Sequence, residues 1–309
     1  MSSFNIDEQR QLIHSATDYL KSRLNAHFKD FGEFAPRTLI ICGSGLGGIT
    51  TRLTTSNPEP LAITYGEIPG FKKSTVEGHT GTLIFGLMKG SPVVLMNGRL
   101  HSYEGHSMHD ATFPIRVLNH MGDVKTLIVT NAAGGLNPAY NSAELMCIYD
   151  HINLPGFSGL HPLKGPNFDE VGPRFLPMSD AYDLELRKLL FKKKEELKIE
   201  RPLHEGTYVF VSGPTFETRA ESRMLRSIGG DAVGMSTVPE VIIARHSGWR
   251  VLALSLVTNN CVMDKPPSVH DEHPKSMDEG IASHEEVLEN GKKASLDVER
   301  LIENVVTEL

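Results

Sequence analysis

Four short segments carry groups that could grip a small anion. The first is Gly43-Ser44-Gly45-Leu46-Gly47-Gly48, directly after the apolar run TLIIC. It satisfies G-x-G-x-x-G, but that motif receives pyrophosphate only where its glycines feed the N-terminus of a crossover helix. The residues that follow, ITTRLTTSNPEP, are rich in threonine and proline and make a poor helix. A tight turn is one alternative; an anion nest fits better, with exposed backbone N–H groups and the Ser44 hydroxyl as donors. The second segment is Arg99-Leu100-His101 after VVLMNG. On an extended chain Arg99 and His101 share a side, so a guanidinium and an imidazole would converge on one oxyanion. Taken alone, such a pair is more often a surface ion pair beside a satisfied core histidine. Its company reverses that balance. Asn131-Ala132-Ala133-Gly134-Gly135 follows TLIVT, and Gly234-Met235-Ser236-Thr237 leads into a helix whose N-terminus favours anions at Ser236. The donors repeatedly follow the carboxyl ends of strands, where open α/β sheets bind ligands.

A second group of residues could recognise a flat heterocycle. Gly213-Pro214-Thr215-Phe216-Glu217-Thr218 offers an aromatic ring beside a carboxylate, and Asn259 ends the apolar run VLALSLVT. A purine needs a π surface, a partner for its Watson–Crick edge and a donor near N7, which these three side chains could supply. Phe216 and Glu217 read equally well as a staple and a helix-start acid, and Asn259 as a loop amide.

The elements that must hold these groups follow from periodicity. Strands are expected at 38–42, 93–96, 126–130, 207–211 and 251–257, each short, rich in β-branched residues and followed by turn chemistry. Helices interleave. Tyr182, Leu186, Leu189, Leu190 and Leu197 share one face, with the 192–194 lysine run solvated on the other. Ser/Thr-x-x-Glu capping boxes open helices at Thr218 with Glu221, Thr237 with Glu240, and Ser283 with Glu286. From Val287 to Val305 an apolar stripe marks the last helix, and 263–281, with three prolines, reads as a long mobile surface loop. The fold class expected is one α/β domain over 1–309, a central mixed sheet flanked by helices, with 1–36 as an N-terminal helical extension.

Composition narrows the partners. A net charge of -7 opposes a nucleic-acid partner, although a small anion needs only one local cluster. No run approaches the ~18 apolar residues of a membrane span, and the start shows no secretory or transit signal, so a cytoplasmic protein without a membrane partner is expected. Cys42, Cys147 and Cys261 lack metal or disulfide spacing and read as buried thiols. No metal and no cofactor are expected.

The phrases GSGLGG, NGRLHSYEG, TFPIRVLNHMG, VTNAAGGLNP, YDHINLPG, EGTYVFVSGPTFET, DAVGMSTVPEVIIARH and SHEEVLENG, in order from about residue 37 to 305, resemble the trimeric class of purine nucleoside phosphorylases. That resemblance implies the nucleoside phosphorylase fold, a homotrimer, and reversible phosphorolysis of purine nucleosides, 6-oxopurines preferred, with phosphate as co-substrate. It implies that Ser44, His79, Arg99, His101, the Ala132 backbone and Ser236 bind phosphate, with Glu104 orienting His101. Phe216, Glu217 and Asn259 would hold the purine, and Tyr103, Tyr208, Met235 and His284 the ribose. Catalysis would fall to Asn259, Glu217 and His101. The sister methylthioadenosine phosphorylases differ, with Ser and Asp where this chain has Glu217 and Asn259. Two departures stand out: Asn260 where many relatives have Lys, and Val171 where a neighbouring subunit often supplies a Phe. The rivals from other classes are a nucleoside binder without turnover and a nicotinamide-dependent oxidoreductase.

Overall fold

The five short, almost fully apolar runs at 38–42, 93–96, 126–130, 207–211 and 251–257 have no wet face and must lie inside a sheet covered on both sides. In the computed structural model, which describes residues 4–74, 81–278 and 284–309, they do so. The strands are β1 Thr38–Cys42, β2 Leu61–Thr64, β3 Thr82–Met88, β4 Ser91–Asn97, β5 Thr126–Gly135, β6 Leu145–Asn153, β7 Leu203–Phe210, β8 Ala232–Gly234 and β9 Arg250–Asn260. Their order is β2-β3-β4-β1-β5-β8-β7-β6-β9, and β9 also pairs with β5. That extra pairing closes β5, β8, β7, β6 and β9 into a ring. The sheet is mixed: β1 lies parallel to β4 and β5, and β5 to β9, whereas β2–β3, β3–β4, β5–β8 and β6–β9 are antiparallel.

The helices are α1 Ile6–His27, α2 Met108–Met121, α3 Leu154–Phe157, α4 Leu184–Glu196, α5 Arg219–Ser227, α6 Val238–His246 and α7 His284–Val306. Two clusters of buried side chains form the core on the two faces. One packs α1, α2 and α6 around Leu20, Phe113, Ile115 and Trp249; the other packs α4 and α7 around Leu190, Leu301 and Ile302. Among the described residues no helix is long and apolar enough to cross a membrane.

Two local expectations are corrected. Lys193 is tucked in rather than solvated, its Nζ 2.8 Å from Glu196 and 2.7 Å from Glu308, because α4 packs there against the chain's last residues. In line with its composition, the threonine-rich stretch after the glycine motif forms a short 3₁₀ turn over Gly47–Arg52 and no crossover helix. α6 has no capping box: the Thr237 side chain caps nothing, for a reason that lies in the site. The Thr218–Glu221 box is present, and Ser283 lies outside the described residues.

Candidate active site

β1 accompanies β5 only as far as Val129, so the continuing edge at Asn131, Ala132 and Ala133 borders open space. That space is a cavity of about 830 Å³. Ser44, Arg99, His101, Tyr103, Ala132, Met235, Ser236, Phe216, Glu217 and Asn259 all line it, so segments far apart in sequence meet at one end of the sheet.

Arg99 is the most buried of the charged lining groups, at 1% exposure. β4 ends at Asn97, and Gly98, at φ 101°, turns the chain so that Arg99 enters the interior. Its Nη2 donates to the Thr130 carbonyl, its Nη1 donates to Thr237 Oγ1 at 3.1 Å, and Glu240 Oε1 stands 3.7 Å from Nη1. Thr237 Oγ1 also accepts from Asn131 Nδ2 at 2.9 Å and lies 3.2 Å from Ser236 Oγ. A hydroxyl oxygen with two accepted bonds has its own proton left for Ser236 Oγ, which leaves the Ser236 proton to point elsewhere. Thr237 achieves this at φ 75°, a region that β-branched residues rarely enter. The hydroxyl that sequence spacing assigns to a helix cap is thus spent on the arginine. Thr237, Asn131, Thr130 and Glu240 are not among the site residues expected from the sequence, where the T-V-P-E spacing reads as a capping box and gives Thr237 and Glu240 another role.

His101 is 7% exposed and stacks on Tyr103 with ring centroids 4.7 Å apart. Glu104 accepts from the His101 backbone N–H at 2.8 Å and lies 3.1 Å from Nδ1, so one carboxylate fixes both backbone and ring. Burial pushes the Tyr103 phenol up to about 12, with Glu104 adding to it.

The ring and the amide line the same cavity. Phe216 is 50% exposed. Burial raises the Glu217 carboxyl above its ordinary value despite a hydrogen bond from its own backbone N–H. Asn259 owes its aim to a β-bulge: Ala133 pairs with Val257 and Gly134 with Asn259, so Thr258 is the extra residue. The Thr258 hydroxyl lies 3.1 Å from Asn259 Oδ1, and its carbonyl accepts from Asn290 Nδ2 at 2.7 Å, tying the bulge to α7. Cys261 is only partly buried and also lines the cavity, unlike the buried Cys42 and Cys147; burial pushes its thiol up to about 12. From 263 to 278 the chain forms neither helix nor strand; Pro266 and Met277 reach the cavity, and Arg223 Nη1 donates to the Met263 carbonyl at 2.8 Å.

Not every expected residue arrives. Tyr208 is fully buried, its oxygen accepting from the Ser236 N–H at 3.4 Å, on a strand of the ring that is paired on both edges. Its side chain is absent from the cavity lining, against the expected ribose contact. His79 lies outside the described residues, and of His284 only the backbone, at the start of α7, is described. Val171 packs inward against the core, whereas Phe175, four residues on, is 90% exposed.

Comparison with known proteins agrees with this architecture. A profile of the phosphorylase superfamily matches residues 37–307. The purine nucleoside phosphorylase of Saccharomyces cerevisiae is 68% identical over 306 residues, covering 99% of this chain and 98% of the yeast protein. That of Rattus norvegicus is 52% identical over 267 residues, 86% of this chain and 87% of the rat protein. Purine nucleoside phosphorylase 1 of Bacillus subtilis is 44% identical over 276 residues, 89% and 93% of the two chains. With a cavity of donors at the strand ends and identity along almost its whole length, the chain belongs to the phosphorylase superfamily and, within it, to the purine nucleoside phosphorylases.

Proposed function

We propose that the protein cleaves purine nucleosides with inorganic phosphate, releasing free base and pentose 1-phosphate, as a step of purine salvage. The observation that carries this reading is the sharing of one cavity by two sets of groups: the donors Ser44, Arg99, His101 and Ser236, and the ring, carboxylate and amide of Phe216, Glu217 and Asn259. A phosphate held by the first set, with the Ala132 backbone N–H, would face C1 of a sugar whose base lies against the second. Phosphate is itself the nucleophile: its oxygen bonds to C1 as the glycosidic C–N bond breaks, and the electron pair leaves with the purine. The protein's contribution is positioning and charge stabilisation. Asn259 Nδ2 would donate to N7 as negative charge develops there. An ionised Glu217 would accept N1–H of hypoxanthine or guanine; adenine N1 is an acceptor and would face a carboxylate, so 6-oxopurines are preferred.

Tyr103 and Met235 would flank the ribose, joined by His284 from the first turn of α7, with His79 near the phosphate mouth. The 263–281 segment would act as a mobile lid, and residues 1–36 as a helical extension of one 1–309 domain. We assign a homotrimer in which the exposed Phe175 meets the neighbouring subunit, and, from the free thiols, a cytoplasmic setting. The test is release of hypoxanthine from inosine with phosphate present and no nicotinamide cofactor added. Saturable nucleoside uptake without turnover would instead identify a binding protein, and light scattering after size-exclusion chromatography reads the trimer.

A further inference from the structure

Between α1, α2 and the segment around Phe168 lies a second cavity of about 130 Å³ that shares no lining residue with the first. Its wall holds Arg116, which α2 carries inward to 6% exposure. The guanidinium is clamped by stacking: its Cζ sits 4.3 Å from the Phe168 ring centroid, with Arg10 Cζ 5.7 Å from the same ring. Yet Arg116 Nε and Nη1 are buried without a hydrogen-bond partner, and so is the hydroxyl of Ser247, which lines the same cavity. Glu170, the carboxylate on this wall among the described residues, is already engaged by Arg10 Nε at 2.9 Å and Nη2 at 3.1 Å. His14 and His120 face each other at 3.0 Å, and Asn119 Oδ1 accepts from Trp249 Nε1 at 3.1 Å.

A buried charge with no acceptor is expensive, and a ring face offsets only part of that cost. Arg10 already pairs with two carboxylates, Glu170 and Asp7, so Arg116 is left as a buried guanidinium with no ion pair of its own among the described residues, and the unpaired groups are donors. The space equals that of about four waters at ~30 Å³ each, enough for a tetrahedral ion and more than a single halide fills. We propose that this cavity is a second anion site, binding a small inorganic oxyanion of the phosphate or sulfate type through Arg116 and Ser247. It stands apart from the reaction proposed above and does not depend on it.

Equilibrium dialysis of the intact protein against radiolabelled sulfate at constant ionic strength tests the site. Wild type is expected to bind two sulfates per chain, and Arg116→Met and Arg99→Met one each. A single wild-type site that Arg99→Met abolishes and Arg116→Met leaves intact overturns the proposal. A single site lost only with Arg116→Met upholds it and counts instead against the catalytic pocket. In anion-free buffer Arg116→Met should melt no lower than wild type, since it removes an unpaired charge, and should lose the sulfate-dependent rise in Tm; a structural arginine predicts the opposite. Should Arg116→Met fail to fold, Ser247→Ala is expected to weaken one of the two sites at least fivefold, and unchanged affinity refutes the assignment. In crystals grown with selenate, an anomalous peak within hydrogen-bond distance of Arg116 Nη1 and Ser247 Oγ supports the site. Water alone there, or a side chain from a second copy, overturns it.

Discussion

Replacing Thr237 with valine keeps the side chain's shape and removes the oxygen on which the anion-facing arginine rests. Thr237 Oγ1 accepts from Arg99 Nη1 at 3.1 Å and from Asn131 Nδ2 at 2.9 Å, both in the interior. A hydrogen bond to a charged group contributes about 1.5–3 kcal/mol and a neutral one about 0.5–1.5, so the two together come to roughly 2–4 kcal/mol. Arg99 keeps the Thr130 carbonyl and the Glu240 carboxylate but loses the contact that links it to Ser236. If about half of the loss appears as a misplaced guanidinium, each ~1.4 kcal/mol is tenfold, and the KM for phosphate should rise about 10-fold, with the KM for inosine little changed. Thr237→Ser retains the oxygen and removes a branched Cβ at φ 75°, so it should restore phosphate KM to near the wild-type value. Initial rates at varied phosphate, alongside a thermal melt, give the answer. A valine variant that melts lower yet keeps its phosphate KM within about twofold would show the hydroxyl to be a packing group, and the chain of reasoning from backbone strain to anion binding would fail.

Asn259→Ala removes the donor aimed by the bulge and should lower kcat on inosine about 10²-fold, the usual scale for one such group; near-normal turnover would take it out of the mechanism. Glu217→Gln should narrow the preference for inosine over adenosine. Because burial raises the Glu217 carboxyl and only its ionised form accepts N1–H, kcat/KM on inosine should fall as pH drops through that raised value, a limb that the Gln variant should lack. The same shift makes the empty fold's stability fall as pH rises through the window, so Glu217→Gln should melt higher than wild type at neutral pH. Gly291→Ala would set a Cβ 2.9 Å from the Gly45 backbone, forcing α7 and the 43–48 loop apart; a several-fold loss of kcat/KM for phosphate is expected, and unchanged kinetics would show that the loop tolerates the shift.

What the sequence disclosed depended on whether the signal was local. β1 coincides with its expected span because TLIIC is apolar throughout and ends at glycine. β2 and β3 escaped notice: LAIT has only four residues, and TLIFGLM carries a glycine that weakens the strand signal. The segments that meet at the cavity were legible because glycine, serine, arginine and histidine in short motifs have few other uses together. The supports behind them were not. Nothing in T-V-P-E announces a threonine at positive φ, nothing in V-T-N-N marks Thr258 as the bulged residue, and the same spacing that predicts a helix cap at Thr237 also allows its hydroxyl to face the arginine. Tyr208 shows the limit of resemblance: its ribose role rests on the family pattern, and the burial of its side chain in a strand paired on both edges is nothing that local sequence displays.

A chain of net charge -7 can still hold a polyanion, because the charges around the cavity are arranged in layers. Arg99 and His101 meet the cavity in front, and Glu240 and Glu104 stand behind them, each nearly inaccessible to solvent. The carboxylates offset much of the long-range attraction and in return fix where each donor points, so an ion is selected at close range by hydrogen bonds already in place. Little reorganisation is then needed as charge moves during reaction, which is where preorganised donors do most for rate. It follows that salt should alter the encounter with phosphate only weakly, since screening acts on net fields over a Debye length and hardly at all on buried contacts. Glu104→Gln tests this layering: it leaves a hydrogen-bonding side chain of the same shape, strengthens the positive field, and should make phosphate KM more sensitive to ionic strength than in wild type. If the two proteins respond to salt alike, the buried carboxylates do not screen the site, and the orientation of His101 is their whole contribution.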